Sequence, residues 1–322
     1  RMVAAVGLAV LIAGLSGCQS YVRRVDLAEE YFNLGNAFYE LEDYERAADY
    51  YRRALALEPE LAPATFNLGR AYVESEAYED AIDVLEELAA AEGEPNVLVL
   101  ESLAYAYFEQ GRYEDSAARY GEVISQSPFR VSALYSAALV QRQLENTDRA
   151  RELLERAWQA QPQDRDILFH YGRVLHETGA GEEAVAILSD YVDSASSDRT
   201  DRLVATARIY ADERYFARAL SVYDAVLARE AQNPRALFGK AALELTAVEA
   251  PAEGIENLTA ALEAGFDDAD WAAELLEAEG VLSRTRATSL LVEAGLIEAE
   301  EADEEGDEET DGEEGGAGET DG

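Results

Sequence analysis

From residue 28 onward, one pattern of small and large residues comes back every 34 or 35 positions, seven times before residue 268. A repeat of that length accommodates two helices and their turns, at about 3.6 residues per helical turn. Such a pair cannot bury its apolar stripe alone, so successive pairs must stack, and nearly all contacts fall between chain neighbours. The clearest copy runs from Ala28 to Pro59 (AEEYFNLGNAFYELEDYERAADYYRRALALEP). Its Gly35 and Ala47 leave room for two helices to cross closely. Phe38 and Tyr51 fill the gap between helices, and Pro59 stops the second one. Composition agrees with an all-α chain: 48% of residues are hydrophobic, and only 7 Pro and 22 Gly interrupt the 322.

Leu34-Gly35, Phe38, Ala47, Tyr51, Ala54 and Pro59 resemble the signature of a tetratricopeptide repeat. The second copy has Leu68-Gly69, Tyr72, Ala81 and Leu85, and the third has Leu103-Ala104, Tyr107, Ser116, Tyr120 and Pro128. The fourth offers Ala137-Ala138, Ala150, Leu154, Ala157 and Pro162, with Gln141 where an aromatic is usual. Tyr171-Gly172, Leu175, Ala184 and Leu188 mark the fifth, and Tyr210, Ala219, Tyr223 and Val226 the sixth. A seventh, Arg235 to Asp268, keeps Ala242, Leu245, Leu258 and Ala261 in step, but Pro251 and Gly254 predict an altered turn before its second helix. The resemblance covers residues 28–268 and implies a right-handed α-α superhelix, a solenoid whose groove holds protein or peptide partners. Two amphipathic stretches within residues 269–297, carrying Trp271, Leu275, Leu276, Val281, Leu282, Leu290, Leu291 and Leu296, read as capping helices.

In this repeat class a fixed set of first-helix positions faces the groove. Carried onto this sequence, they are Phe32, Asn36 and Tyr39, then Phe66 and Arg70, Tyr105 and Phe108, Tyr135 and Arg142, Phe169, Arg173 and His176, and Arg208. Aromatic and arginine side chains dominate binding energy at interfaces, because they combine buried area with directional donors. A run of arginines in so acidic a chain is a local exception, although Glu40, Glu74, Glu101, Glu109 and Glu177 share the surface. The third to sixth repeats are therefore expected to hold a segment with apolar and acidic groups.

The start of the chain has a different character. Val3 to Gly17 is an apolar and small-residue run ending directly on Cys18, the single cysteine. Fifteen residues are too few for a membrane-spanning helix, which needs about 20, but they suit the core of a signal peptide. Arg1 is the only basic residue of the leader. Leu15-Ser16-Gly17-Cys18 resembles the lipobox of bacterial lipoproteins, in which residues 1–17 would be removed and Cys18 acylated. That resemblance implies a membrane anchor through the N-terminal lipid and a periplasm-facing chain in a bacterial envelope. Residues 18–27 would then be a short tether. With Gln19 rather than an aspartate after the cysteine, the outer membrane is favoured over the inner.

Formal net charge is −41, and Lys240 is the only lysine. A surface this acidic repels phosphate backbones, which argues against a nucleic-acid partner. A salty habitat would produce the same balance. Residues 298–322 hold fourteen Asp or Glu and no aromatic or basic residue, a composition that predicts a disordered acidic tail. This tail would either solvate the chain or compete for its groove. His170 and His176 lie six apart on one predicted helix, about 240° around its axis, so they do not share a metal. No nucleophile–base constellation, phosphate loop or metal-ligand spacing stands out, so neither catalysis nor a cofactor is expected. The sequence reads as a membrane-anchored scaffold for protein–protein interaction, serving envelope assembly, pilus or cell-wall machinery. The alternative is a periplasmic component that binds small ligands for a transporter.

Overall fold

The computed structural model describes residues 24–91, 96–194 and 199–298. The stretch that resembles a lipobox, with Cys18, and the acidic segment 299–322 lie outside the described residues. Among the described residues there are sixteen helices and no strand. The chain divides into two compact units, Arg1–Gly179 and Ala180–Gly322. The first holds α1 (24–40), α2 (Tyr44–Leu57), α3 (Ala62–Glu74), α4 (Tyr78–Ala91), α5 (Val97–Glu109), α6 (Tyr113–Gln126), α7 (Val131–Gln143), α8 (Thr147–Ala160) and α9 (Arg165–Glu177). The second holds α10 (Gly181–Ser194), α11 (Thr200–Asp212), α12 (Phe216–Leu227), α13 (Pro234–Thr246), α14 (Pro251–Glu263), α15 (Ala269–Glu277) and α16 (Arg284–Glu293). Within each unit, packing runs mainly between consecutive helices, and first helices also meet the next first helix, as α3 meets α5 and α11 meets α13. This is the stacking that the repeat demands.

One small residue in each second helix makes the close crossing possible. Within the units, Ala47, Ala81, Ser116, Ala150 and Ala219 occupy this place and have no solvent exposure. Ser116 is polar, and its hydroxyl is satisfied by donating to the Ala104 carbonyl at 2.7 Å. Four residues on, Tyr51, Leu85, Tyr120, Leu154, Tyr223 and Leu258 fill the space between the pair, each at most 4% exposed. On the facing first helix a glycine is sometimes obligatory. A Cβ at Gly69 would lie 2.6 Å from the Leu85 side chain, which is fully buried.

The turn inside each pair is equally regular. Glu42, Glu76, Gly111, Glu145, Gly179, Arg214 and Glu249 all take left-handed backbone, with φ between 54° and 76°. Five of the seven are not glycine, so stacking of the helices on either side must hold them there against a local cost of about 1 kcal/mol. Five helix starts are fixed by side-chain caps. Asp43, Asn96, Asp164, Asn233 and Asp268 each accept from a backbone N–H of the first turn that follows.

The seventh pair differs from its sequence reading in one detail. Pro251 is the first residue of α14, and the turn before it contains one extra residue. The extra residue shifts the register, so Ala241, which is fully buried, and not Ala242 makes the close approach. Gly254 takes the small-residue place on α14, where a Cβ would meet Leu245 at 2.7 Å. Beyond it, α15 closes this end of the second unit. Phe238 and Phe266 stack at 3.9 Å and Trp271 leans on both, while the Leu282 N–H donates to the Leu245 carbonyl.

Two outcomes test this packing. Gly69→Val overfills the α3–α4 crossing and is expected to cost about 1–3 kcal/mol in urea unfolding. Gly121→Ala, on an open helix surface with nothing near the added carbon, should gain about 0.5–1 kcal/mol. Burial pushes the hydroxyls of Tyr51 and Tyr120 up to about 12, and that of Tyr223 higher, from an ordinary 10.0. A phenol raised in the folded state stabilises the fold in full below pH 10 and loses that contribution as pH climbs through the folded value. Helical circular dichroism and tyrosinate absorbance should therefore change together between pH 10 and 12. Titration of these phenols near 10 with helicity intact would refute the packing.

Candidate partner-binding groove

The first helices of the second, third and fourth pairs frame a cleft of about 510 Å³ within the first unit. Its walls are Arg70, Val73 and Glu74 from α3, Glu101, Ser102 and Tyr105 from α5, and Ser132 and Ser136 from α7. Glu76 and Tyr78 close it at the α3–α4 turn, and the buried Tyr120 reaches in from α6 to bond Ser136. Tyr105 is 43% exposed. Its hydroxyl bonds Glu109 and is pushed up to about 12 by burial and then by the Glu109 charge.

Of the residues carried over from the repeat pattern, only Arg70 and Tyr105 line this cleft. Arg70 donates to the Tyr39 hydroxyl at 2.8 Å and lies over the Tyr39 ring, 4.7 Å from its centroid. Tyr39 in turn donates to Glu74 at 3.3 Å. Burial raises the Tyr39 hydroxyl pKa, and Arg70 opposes the rise. Asn36 accepts from both the Tyr51 hydroxyl (2.8 Å) and the Asn67 amide (2.9 Å), so it ties the first pair to the second. Phe32 packs on the Tyr51 ring at 5.9 Å, and Phe66 stands 5.9 Å from the Arg70 guanidinium. Phe108 turns toward the start of α6, where it meets Tyr113 at 5.6 Å.

Further along, Tyr135 meets His170 edge-on at 5.6 Å. Arg142 donates to Glu177 at 2.8 Å, and Arg173 reaches the same carboxylate at 3.5 Å from the last turns of α9, which also carry His176. Phe169 needs correction as a contact residue. It is 4% exposed, because its place on α9 turns into the core, and Arg173 covers its ring at 5.6 Å. Arg208 also departs from the groove reading. In the second unit it binds Glu274 of α15 at 2.5 Å and sits over the Trp271 ring. Of the expected basic run, Arg142, Arg173 and Arg208 are thus matched to carboxylates and Arg70 is engaged by Tyr39.

Ser102, Ser136, Tyr78 and Tyr120 were not anticipated as groove residues. The two serines follow Asn67 at the same repeat position, and His170 comes next, which makes a polar ladder along successive first helices. That ladder was present in the sequence as a polar residue recurring inside an apolar pattern. Tyr78 and Tyr120 come from second helices and gave no comparable signal.

Because Arg142 and Glu177 keep partial contact with water, Arg142→Ala should change stability by less than about 1 kcal/mol. Trp271→Ala removes the buried ring that closes the second unit and should cost about 3–5 kcal/mol in thermal or urea unfolding. Equal costs for the two substitutions would contradict these placements.

Comparison with known proteins agrees with the repeat. Family models described as tetratricopeptide repeat match residues 32–95 and 102–164, and a second such model matches 141–205. No curated protein sequence matches the chain. Among solved structures, a tetratricopeptide repeat protein from Parabacteroides merdae ATCC 43184 superposes with TM-score 0.57 at 18% identity, covering 78% of this chain and 98% of that one. The pilF protein of Pseudomonas aeruginosa gives TM-score 0.56 at 18% identity over 66% of this chain and 96% of its own. MamA from Desulfovibrio magneticus RS-1, from residue 41 to its end, gives 0.51 at 16% identity, with 53% and 98% covered. At these identities the likeness is one of fold. With the repeat matched over more than half of its length and the helical pairs stacked as that repeat requires, the chain belongs to the tetratricopeptide repeat family of protein–protein interaction scaffolds.

Proposed function

We propose that this protein is a membrane-anchored adaptor facing the periplasm of a bacterial envelope, and that the α3–α5–α7 cleft holds a segment of its partner. The cleft carries this reading. It is concave and combines an exposed tyrosine with serine hydroxyls and carboxylates along three successive first helices. A partner segment gains apolar contact on Tyr105 and hydrogen bonds from the serines, the mixture on which protein interfaces depend. Stacked pairs hold these groups on rigid helices, so little conformational entropy is lost on binding. Anchoring is supported by the apolar run that ends in Leu15-Ser16-Gly17-Cys18, and Gln19 favours the outer membrane as its destination. An acylated cysteine just before α1 would keep the adaptor near the bilayer surface, since the six residues from Cys18 to the start of that helix reach at most about 22 Å.

The test is affinity capture from envelope extracts with the wild type, with a Tyr105→Ala/Ser136→Trp double variant that strips and blocks the cleft, and with Arg218→Ala as a control in the second unit. A partner retained by the wild type and the control but weakened about tenfold or more by the double variant supports the cleft. Equal retention by all three forms moves the interface elsewhere. Fractionation of cells expressing Cys18→Ser should show loss of membrane association.

A further inference from the structure

The partner segment that such a cleft would take can be narrowed by charge, an inference that rests on the groove reading above. Four groups with cationic or anionic character line the cleft: Arg70 is the one cation, against Glu74, Glu76 and Glu101. Glu109 joins them through its bond to Tyr105. Arg70 is engaged by the Tyr39 hydroxyl and ring, and Arg130 forms a two-pronged pair with Glu101 at 2.5 and 2.6 Å. With Glu101 neutralised in that way, the remaining excess of negative charge sits at the Tyr78–Tyr105 end. There Tyr78 feels burial first and then Glu109, Glu76 and Glu74, all of which raise its hydroxyl pKa. Two phenol rings beside three carboxylates in a partly enclosed space form a site for a cation, since the ring faces and the carboxylates attract the same charge.

The other end of the α5 face is apolar. Leu98 is 46% exposed, two turns before Tyr105, and Phe129, 85% exposed, immediately precedes the Arg130 that is bound to Glu101. We propose that the cleft selects a basic partner segment, with an arginine or lysine side chain seated among Tyr78, Tyr105, Glu74, Glu76 and Glu109 and an apolar residue toward Leu98 and Phe129. This reverses the polarity expected from the arginines in the sequence. It also makes residues 298–322, with fourteen carboxylates, a poor occupant of the cleft. Electrostatic complementarity of this kind acts mainly on specificity and on the rate of encounter.

The experiment uses the full chain and three fluorescein-labelled peptides of about twelve residues. All share the same leucine and tyrosine positions, and the remaining positions are arginine, glutamine or glutamate. Fluorescence anisotropy is read with the wild type, with Glu76→Gln/Glu109→Gln, with Tyr105→Ala, and with Glu87→Gln/Glu114→Gln. The last pair removes the same charge from exposed places on α4 and α6 outside the cleft. The arginine peptide should bind tightest, and more weakly as salt rises. The Glu76/Glu109 pair should weaken it about tenfold, while leaving the glutamine peptide and the Glu87/Glu114 control within about twofold of the wild type.

Equal weakening by the two glutamine pairs would mean that only the overall charge of the chain is being read, and would overturn the subsite. Preference for the glutamate peptide, or no measurable binding of the arginine peptide, would overturn it as well. If the glutamine peptide is weakened by Tyr105→Ala while charge makes no difference, the groove stands and the basic subsite falls. If Tyr105→Ala affects none of the peptides, the groove itself is wrong.

Discussion

The whole arrangement depends on a close crossing of two helices at a residue with almost no side chain. Ala47, Ala81, Ser116, Ala150, Ala219 and Gly254 are the places where this happens within the two units. A larger residue there would push the helices apart, and the tyrosine or leucine four positions on would no longer fill the gap. The stack would lose its packing density, since protein interiors tolerate neither voids nor overlap. The same constraint lets the left-handed turns be built from glutamate and arginine at five of seven positions. Once the helices on both sides are locked together, the turn has no other conformation to adopt.

Regular stacking has a second consequence. It places each first helix beside the next and brings side chains some 34 residues apart into contact. Asn36 with Asn67, Tyr39 with Arg70 and Glu74, Glu101 with Arg130 and Arg142 with Glu177 are all pairs of this kind. These bonds run between successive pairs and set the width of the cleft on the first-helix face. They also use up the arginines. A guanidinium engaged by a neighbouring carboxylate shapes the groove without presenting free positive charge to a partner. What is left facing the cleft at the Tyr78–Tyr105 end is aromatic and acidic.

How an arginine is used is the point on which sequence reasoning and the folded chain part. Arg142, Arg173 and Arg208 occupy groove-facing register positions, and the register is sound for Arg70 and Tyr105. Register gives only a direction from a helix axis, however. Whether a long side chain then reaches into the cleft depends on what the next element offers it. Arg208 finds Glu274 and the Trp271 ring on α15, 66 positions away, a pairing that no local pattern announces. Phe169 is the converse case. Its position matches Phe66 and Tyr135 in the repeat, yet it is buried while they keep partial exposure.

The sequence by itself determined the all-α class, the period, the small-and-large pairs and the family, because each is a property of spacing within one helix pair, repeated often enough to stand above chance. The same spacing marked Gly35 and Gly69 as crossing points and Tyr51 as a filler. Only the tertiary structure decided which polar groups face the cleft and which are consumed between pairs. It also placed Tyr120 beside Ser136 and Tyr78 in the wall of the same cleft, and it shifted the seventh crossing from Ala242 to Ala241 through one extra turn residue. Those outcomes rest on distances between side chains in different repeats. Such distances follow from how the pairs stack, which a local pattern of apolar residues does not encode.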